Sequence, residues 1–230
     1  RSSDLLGLTP RDLFEHQSIA ELALAVRPLA ALDAEQGPVR GRVPLTPIQT
    51  WLFDQDRPAP QHFNQAQLLV VPADLDLDAL ARAGAAVLAH HDALRLRYRQ
   101  VDGERGDAGG AWEQFHAEPQ ADTAALPLHV ETLTGPELAA ALAARADHWQ
   151  ASLDLAEGPL TRLVLFHHPH GSRLLWIIHH LAVDGVSWRI LLDDLLAAYA
   201  QARRGEAPRL PAKTTSFKAW SLRLAQWADG

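Results

Sequence analysis

The sequence contains no cysteine and no methionine among its 230 residues. The absence of cysteine excludes disulfides, thiol catalysis and zinc sites built on thiolates. A chain that starts at Arg1 and has no methionine is expected to be a piece of a longer protein. Long hydrophobic runs are also missing: none approaches the roughly 20 apolar residues of a membrane span, and residues 1–30 lack the apolar core of a signal peptide. We therefore expect no membrane partner and a cytoplasmic location.

Positive charge is scarce as well. The chain carries 21 Lys and Arg residues against 28 Asp and Glu, which gives a formal net charge of −7. Nucleic-acid binding needs a basic face, and no block of Lys or Arg supplies one, so we expect no nucleic-acid partner. The hydrophobic fraction of 47% is ordinary for a globular protein. The length predicts one large domain, or one domain and a piece of another.

Three regions follow one another along the chain. Residues 1–28 predict two short helices, the first opened by Thr9-Pro10 and the second capped by Ser18. Residues 29–43 mix Pro, Gly and charge without periodicity and predict a linker. Residues 44–230 predict a domain in which strands and helices alternate.

The apolar periodicity of this domain predicts its elements. Strands are expected at 66–71, 94–99, 112–115, 128–132, 160–166 and 173–179, a loop at 101–111, and helices at 46–53, 77–90, 135–153, 186–203 and 216–228. The last two strands are separated by a His-Pro-His-Gly turn, which predicts a hairpin. The fold class is therefore α/β or α+β, with a mixed β-sheet covered by helices.

The strongest local signal lies between residues 177 and 188. An apolar strand runs into His179 and His180, and after a short loop come Asp184, Gly185 and a helix. Because side chains alternate along a strand, only one of the two histidines can line a given cleft. A histidine at the end of a buried strand can transfer protons near neutral pH. Asp184 could orient a histidine or bind an arginine, and Gly185 allows a positive φ or a close approach.

Other interpretations of these histidines stay open. Each could be a structural histidine of the core. With Asp184, a cluster of five could form a zinc or other transition-metal site: His167, His168, His170, His179 and His180. Their spacings match no familiar metal motif, so we predict no metal. A Ser-His-Asp triad would require Ser187, but the G-x-S-x-G nucleophile elbow is absent.

A second polar pattern, His90 to Arg95, lies where a predicted helix meets a predicted strand. The structural interpretation is a polar connection with an exposed arginine. The functional interpretation is that Arg95 is buried and forms an ion pair with Asp184. Such a pair would lock the loop that follows His180 and would be costly to break from one side.

These residues resemble the condensation-domain superfamily of nonribosomal peptide synthetases. The family motif HHxxxDG is matched at 179–185, and the V-S-W-R-I-L that follows at 186–191 is similar to the epimerization subtype. Condensing members carry Trp-Ser directly after the glycine. The stretch P-I-Q-T-W-L-F at 47–53 resembles the opening motif of the epimerization subtype, and residues 91–95 match the family's HxxLR pattern. Residues 8–22 resemble the last helices of a peptidyl carrier domain.

The resemblance implies a fold and a domain organisation. Members of the superfamily have two lobes, each similar to chloramphenicol acetyltransferase, with the active site between them. Residues 44–230 would be the N-terminal lobe, and residues 1–28 the end of a carrier domain joined by the linker 29–43. The C-terminal lobe, with its glutamate motif, would be absent. The carrier's GGxS motif is also absent, so Ser2 and Ser3 are not attachment sites for phosphopantetheine.

The resemblance also implies a reaction. Epimerization inverts the Cα of an aminoacyl or peptidyl thioester, from L to D, while a carrier domain holds the substrate on phosphopantetheine. His180 would transfer the proton, with His179 as an orienting residue, Asp184 and Gly185 as motif residues, and Arg95 as the support of Asp184. The partners would be the loaded carrier domain and the missing lobe, and this fragment alone is expected to be inactive. The alternatives are a condensation domain that forms peptide bonds and a non-catalytic docking platform of the same fold.

Overall fold

The computed structural model describes residues 6–7, 10–28, 34–55, 57–72, 74–101, 111–118, 128–135, 137–169 and 171–229. Ser2, Ser3, His170 and most of the predicted loop at 101–111 lie outside these ranges. Within them the chain folds around two β-sheets with helices packed on their faces. The mixed α/β architecture confirms the predicted fold class. No helix of the described part is both long and apolar enough to cross a membrane.

The larger sheet has four strands and is mixed. Its strands are β4 (Asn64–Val71), β7 (Leu128–Thr132), β8 (Thr161–His168) and β9 (Gly171–His179), in the order β4-β9-β8-β7. Strands β7 and β8 are parallel, and the other pairs are antiparallel. The predicted hairpin between β8 and β9 is confirmed.

Helices cover both faces of this sheet. On one face lie α4 (Leu77–His90) and α6 (Gly185–Arg203), and on the other lies α5 (Leu138–Ala151). Because β8 and β9 are buried on both faces, they are near-continuous apolar runs rather than alternating ones. The core between the sheet and the α4–α6 layer includes Leu80, Val87, Leu163, Leu165, Leu174, Trp176, Ile178, Trp188 and Leu191.

A second, three-stranded sheet was not foreseen from the sequence. It consists of β3 (Gly41–Val43), β5 (Leu96–Val101) and β6 (Ala111–His116), all antiparallel, in the order β3-β6-β5. Next to it lie α3 (Pro47–Phe53) and α7 (Phe217–Asp229). Strand β3 occupies the last three residues of the predicted linker.

The N-terminal segment contains two short helices, α1 (Pro10–Glu15) and α2 (Ile19–Ala25), as the sequence predicts. Helix α2 begins with a capping box in which the Ser18 hydroxyl accepts the Glu21 N–H at 3.2 Å. The two-residue strands β1 (Leu6–Gly7) and β2 (Arg27–Pro28) pair on either side of the helices. Helix α2 buries none of its residues, so its apolar side chains are left uncovered within the described structure.

Two predicted elements begin two or three residues later than expected. The strand predicted from residue 94 starts at Leu96, because Asp92–Arg95 forms a 3₁₀ turn in its place. The turn breaks the alternation that would have placed Arg95 on the exposed face with Arg97 and Arg99, and Arg95 is only 6% exposed. Helix α5 starts at Leu138 rather than at Gly135, whose φ of +107° is incompatible with a helix.

The described part of the predicted linker is docked on the domain. Val39 is buried and its N–H donates to Asp92 Oδ1 at 3.0 Å. The side chains of Lys213 and Lys218 donate to the carbonyl oxygens of Gly37 and Arg40 at 2.8 and 2.6 Å. These bonds fix the path along which the chain enters the domain.

Candidate active site

His180 lies directly after the C-terminal end of β9, an inner strand of the larger sheet. Its backbone N–H donates to the Phe63 carbonyl at 2.9 Å, which continues the β4–β9 pairing beyond the end of the strands. Its ring stacks on the Phe63 ring, with 5.0 Å between centroids and 23° between planes. The residue is half-buried and lines a pocket. A ring held on a rigid strand end that still reaches a pocket is suited to proton transfer.

The hydrogen bonds of His180 identify its tautomer. Nδ1 lies 2.8 Å from the carbonyl oxygen of Val183, and because a carbonyl only accepts, Nδ1 carries the hydrogen. Nε2 lies 3.1 Å from the amide nitrogen of Gln65. In the neutral ring Nε2 therefore offers a lone pair, which receives the Gln65 N–H. Such an imidazole is a base in its proton-accepting form.

His179 points to the opposite side of the strand and is fully buried. Its Nδ1 accepts the Leu181 N–H at 3.1 Å, and its Nε2–H donates to the Pro60 carbonyl at 2.9 Å. Burial lowers the pKa of His179 to about 4, so the ring is neutral at neutral pH. Both ring nitrogens are occupied by the backbone, and the residue anchors the turn on which His180 sits.

The buried histidines predict that the protein loses stability in mild acid. Burial lowers the pKa of both His179 and His116 to about 4, from an ordinary value of 6.5. In the unfolded chain these two histidines therefore bind protons below pH 6.5, whereas in the folded chain they bind them only near pH 4. Because each pKa unit corresponds to about 1.4 kcal/mol, the free energy of unfolding should fall by a few kcal/mol across this window.

Urea denaturation between pH 7 and pH 4 measures this loss. The replacement His116→Gln should flatten the pH dependence of the unfolding free energy, whereas His62→Gln, at an exposed position, should leave it as in the wild type. A stability that stays constant from pH 6.5 to pH 4 would contradict the assignment of neutral, buried rings.

Asp184 does not bind Arg95, contrary to the predicted ion pair. Asp184 is the N-cap of α6, and its Oδ1 accepts the backbone N–H of Ser187 at 2.7 Å and the Ser187 hydroxyl at 2.6 Å. The Ser187 hydroxyl, followed by its backbone N–H, holds the pKa of Asp184 below its ordinary value. The carboxylate satisfies the open end of a helix instead of a buried arginine. The same bonds direct the Ser187 hydroxyl at Asp184 and away from a triad with histidine.

Arg95 is buried at the C-terminal end of α4. Its guanidinium donates to Asp92 Oδ1 at 2.6 Å and to the carbonyls of Leu88 and Ala89 at 3.1 and 3.0 Å. These are carbonyls of the last turn of α4, where a cation is favoured by unpaired acceptors and by the helix dipole. Lys213 also binds Asp92, at 2.9 Å, so two cations share this one carboxylate. Arg95 therefore supports α4 and the linker rather than the loop after His180.

Gly185, the first residue of α6, needs neither of the properties expected of it. Its φ lies outside the left-handed region, and a Cβ built on it meets no atom within 4 Å among the described residues. The residue is exposed beside the pocket. The absence of a side chain at Gly185 leaves open space next to Asp184, and the backbone there has no special conformation.

The described histidines of the proposed metal cluster are not brought together, and His170 lies outside the described residues. His167 lies at the far end of the β8–β9 hairpin, where its Nδ1 is 2.8 Å from the Ser172 hydroxyl, while His179 and His180 lie at the other end of β9. The described residues contain two other groups with ligand atoms within 4.8 Å of one another: His90, His91 and Asp194, and the more exposed Asp12, Glu15 and His16. The His91 Nε2 to Asp194 Oδ2 distance of 2.8 Å ties the end of α4 to α6.

The pocket beside His180 has a volume of about 660 Å³. One wall is α3 and its N-terminus, a second is the turn from His180 to Asp184, and a third is α7. Its rim carries exposed apolar side chains, namely Ile48, Trp51 and Trp220. The α7 wall was not expected from the sequence, because Trp220 is 40 positions from His180 and no local pattern joins them.

Gln49 attaches the α3 wall to the rest of the site. Its Oε1 accepts the Thr46 N–H at 2.9 Å, which closes a capping box, and its Nε2 donates to Gln114 Oε1 at 2.6 Å and to the Tyr98 hydroxyl at 3.2 Å. The residue is 3% exposed. The Tyr98 hydroxyl in turn lies 3.5 Å from the Leu181 carbonyl. The glutamine of the P-I-Q stretch thus links α3, the second sheet and the turn after His180.

Comparison with known proteins gives matches along most of the chain. The family model described as "Condensation domain" matches residues 39–229, and so begins inside the predicted linker. One of the linear gramicidin synthase subunits of Brevibacillus parabrevis is 48% identical over 229 residues, which cover 97% of this chain and 4% of that protein. Tyrocidine synthase 1 of the same organism is 36% identical over 229 residues, which cover 97% of this chain and 20% of that protein.

Solved structures are similar over less than half of their own length. The epimerization domain from the third module of tyrocidine synthetase B superposes with a TM-score of 0.77 at 38% identity, over 86% of this chain and 43% of that one. The X-domain from teicoplanin biosynthesis gives a TM-score of 0.68 at 26% identity, over 87% of this chain and 41% of that one. The expected fold class, a mixed β-sheet covered by helices, is confirmed by these superpositions.

Proposed function

The chain belongs to the condensation-domain family, and from that premise we propose that it provides the histidine wall of an epimerization site in a nonribosomal peptide synthetase. The reaction inverts the Cα of an aminoacyl or peptidyl thioester from L to D. One observation carries the proposal: the His180 ring lines the pocket with Nδ1 on the Val183 carbonyl and Nε2 beside the Gln65 amide. The V-S-W sequence at 186–188 and the 38% identity to a solved epimerization domain favour this member of the family over others.

The chemistry requires a base on one face of Cα and an acid on the other. The Cα proton of a thioester is weakly acidic, because the electron pair left behind is delocalised onto the carbonyl oxygen. His180 takes this proton at Nε2. Its Nδ1–H stays on the Val183 carbonyl, which holds the ring in one orientation and stabilises the positive charge that it acquires.

The pocket fits the substrate that this reaction needs. The phosphopantetheine arm of a carrier domain supplies the thioester that makes the Cα proton acidic. A cavity of about 660 Å³ is within the range of small-molecule sites, and Ile48, Trp51 and Trp220 offer apolar walls for an acyl chain. The attachment serine is assigned to the carrier domain, and no role in attachment falls to Ser2 or Ser3.

The second acid–base group is assigned to residues outside this chain. The match covers 43% of the solved epimerization domain, in keeping with one lobe of two, and a glutamate of the other lobe would face His180 across the cleft. Residues 1–28 are assigned to the end of a carrier domain. This assignment is supported by the relative that matches 97% of the chain, by the family model that starts only at residue 39, and by the uncovered apolar side chains of α1 and α2.

A stereochemical assay on the full-length synthetase separates epimerization from condensation. The carrier is loaded with an L-aminoacyl group, and the acyl group is then released and resolved by chirality, with and without a loaded acceptor carrier. We expect D-amino acid to accumulate without any acceptor. Peptide-bond formation with complete retention of the L configuration would instead assign condensation, and no reaction in either assay would assign a docking platform.

A further inference from the structure

We propose that Gln65 sets the protonation state of His180, and that Trp188 sets the orientation of Gln65. This inference rests on the proposed function, because it describes how the same base is kept ready. Gln65 lies in β4 and Trp188 in α6, so the three residues come from three elements that pack together around the end of β9. Gln65 bonds to the ring nitrogen of His180 and Trp188 bonds to Gln65, so both act through His180.

The orientation of the Gln65 amide follows from its partner in α6. The Trp188 indole N–H donates to Gln65 Oε1 at 2.8 Å. Because an indole nitrogen can only donate, the amide oxygen of Gln65 must face Trp188. The amide nitrogen is thereby turned to His180 Nε2, 3.1 Å away. Trp188 is 5% exposed and packs edge-on against Trp176, so it is a fixed reference for the amide.

The amide nitrogen favours one charge state of His180. With Nδ1–H committed to the Val183 carbonyl, a neutral ring accepts the Gln65 N–H at Nε2. A protonated ring would place two N–H donors against each other at 3.1 Å, which raises the energy of the imidazolium. Gln65 cannot relieve this by turning its oxygen inward, since it would then face Trp188 with a second donor.

The Gln65 contact affects both proton uptake and proton release by His180. When the substrate Cα–H arrives, the half-buried Gln65 side chain rotates, and its N–H leaves the Nε2 lone pair. The proton passes to Nε2, and the electron pair of the C–H bond stays on the acyl group. When Gln65 returns, it disfavours the imidazolium, so the proton passes on to solvent or back to Cα and the base is restored. Gln65 is thus a positioning residue that keeps His180 from resting in the charged state.

Other charged or titratable groups near the ring do not supply this effect. His179 is buried, with both nitrogens bound by the backbone. Asp184 is held by Ser187 at the start of α6. Arg57 lies over the Phe63 ring, 4.7 Å from its centroid, and Phe63 stacks on His180. Gln65 is the neighbour that bonds to the reactive nitrogen.

The test compares Gln65→Glu with Gln65→Leu in the full-length synthetase. Glutamate keeps an acceptor for Trp188 and nearly the same shape, but it places a carboxylate oxygen at Nε2 and so stabilises the imidazolium. We expect kcat for inversion to fall about 100-fold in Gln65→Glu and about 10-fold in Gln65→Leu, with KM changed by less than about 3-fold in both. Gln67→Glu, two residues along the same face of β4, is the matched control and should keep the wild-type kcat.

A double-mutant cycle tests the role of Trp188. Trp188→Phe removes the indole N–H and keeps an aromatic ring in the core. It should lower kcat about 5-fold when Gln65 is present and leave kcat unchanged in the Gln65→Leu background, because the amide that it orients is then missing. An equal loss in both backgrounds would mean that Trp188 acts only through packing and would overturn its proposed role.

The outcomes distinguish this inference from the function on which it rests. If the wild-type synthetase gives no inversion, the proposed function fails. If the wild type inverts its substrate and Gln65→Glu retains a wild-type kcat, the inference alone fails. A loss in Gln67→Glu equal to that in Gln65→Glu would also overturn it, since added charge on β4 would then explain the effect.

Discussion

Replacing His180 with alanine is expected to lower the rate of L-to-D conversion by about 10³-fold, the range of a lost general base. The physical reason is the loss of the lone pair at Nε2. Its neighbours in the described structure do not replace it, because the Gln65 nitrogen is a donor and both nitrogens of His179 are bound by the backbone. The ring is half-buried at the edge of the pocket, so the fold should survive the truncation.

The measurement is the chirality of the acyl group released from the loaded carrier at successive times. His62→Ala, which removes an exposed imidazole near the same sheet edge, is the control and should convert substrate at the wild-type rate. Conversion by His180→Ala within 10-fold of the wild type would be incompatible with His180 as the base (a loss of about 10²-fold is the least expected of such a residue).

Replacing Arg95 with methionine is expected to destabilise the domain by about 3 kcal/mol or more. The substitution keeps most of the volume but removes the donors that satisfy Asp92 and the carbonyls of Leu88 and Ala89, all at the buried end of α4. Lys213 remains on Asp92 and limits the loss. Urea denaturation of the chain at pH 7 measures the change in the free energy of unfolding.

A matched control lies on the neighbouring strand. Arg99 pairs with Glu113, but the Arg99 side chain is 55% exposed, so Arg99→Met should cost less than about 1 kcal/mol. A similar cost for both substitutions would contradict the burial argument.

Double-mutant cycles test whether Arg95 is coupled energetically to the carboxylate of Asp92 or to that of Asp184. Asp184→Ala should cost about 1 kcal/mol through the loss of the α6 cap, and this cost should add to that of Arg95→Met, because the two side chains share no hydrogen bond. Asp92→Ala should instead couple strongly to Arg95→Met. Strong coupling between Arg95 and Asp184 would restore the ion pair expected from the sequence.

The parts of the site that lie close together in sequence were predictable. The apolar strand, the two histidines on opposite sides and the helix after Asp184 follow from alternation, capping and periodicity over residues 173–203. The helix at 77–90 and the hairpin turn near residue 170 follow in the same way. Each of these signals is carried by residues within one or two turns or strands of each other.

Arg95 shows where such local signals fail. The alternation of arginine with apolar residues at 94–99 is typical of a half-buried strand, but Asp92–Arg95 forms a 3₁₀ turn that directs Arg95 into the interior. The acceptors that favour the turn, the last carbonyls of α4, are present only once the helix has formed. A tertiary partner therefore overrides the local pattern.

Gln65 shows what local signals leave out. Its partners are 115 and 123 positions away, in the stretch after β9 and in α6. Only the register between β4 and β9, which pairs Gln65 with Ile178, brings its side chain beside His180. The second sheet was missed for the same reason, because β3 is three residues long and is stabilised by pairing with a strand about 70 positions away.

The central claim is that this chain presents His180 as a base for a Cα proton, and a reaction in D₂O tests it most directly. The full-length synthetase, with an L-aminoacyl group on its carrier, is incubated in D₂O, and the mass of the released amino acid is measured by mass spectrometry. The account predicts one deuterium at Cα in the inverted product and loss of that incorporation in His180→Ala. Inversion without deuterium, or incorporation that persists in His180→Ala, would contradict it.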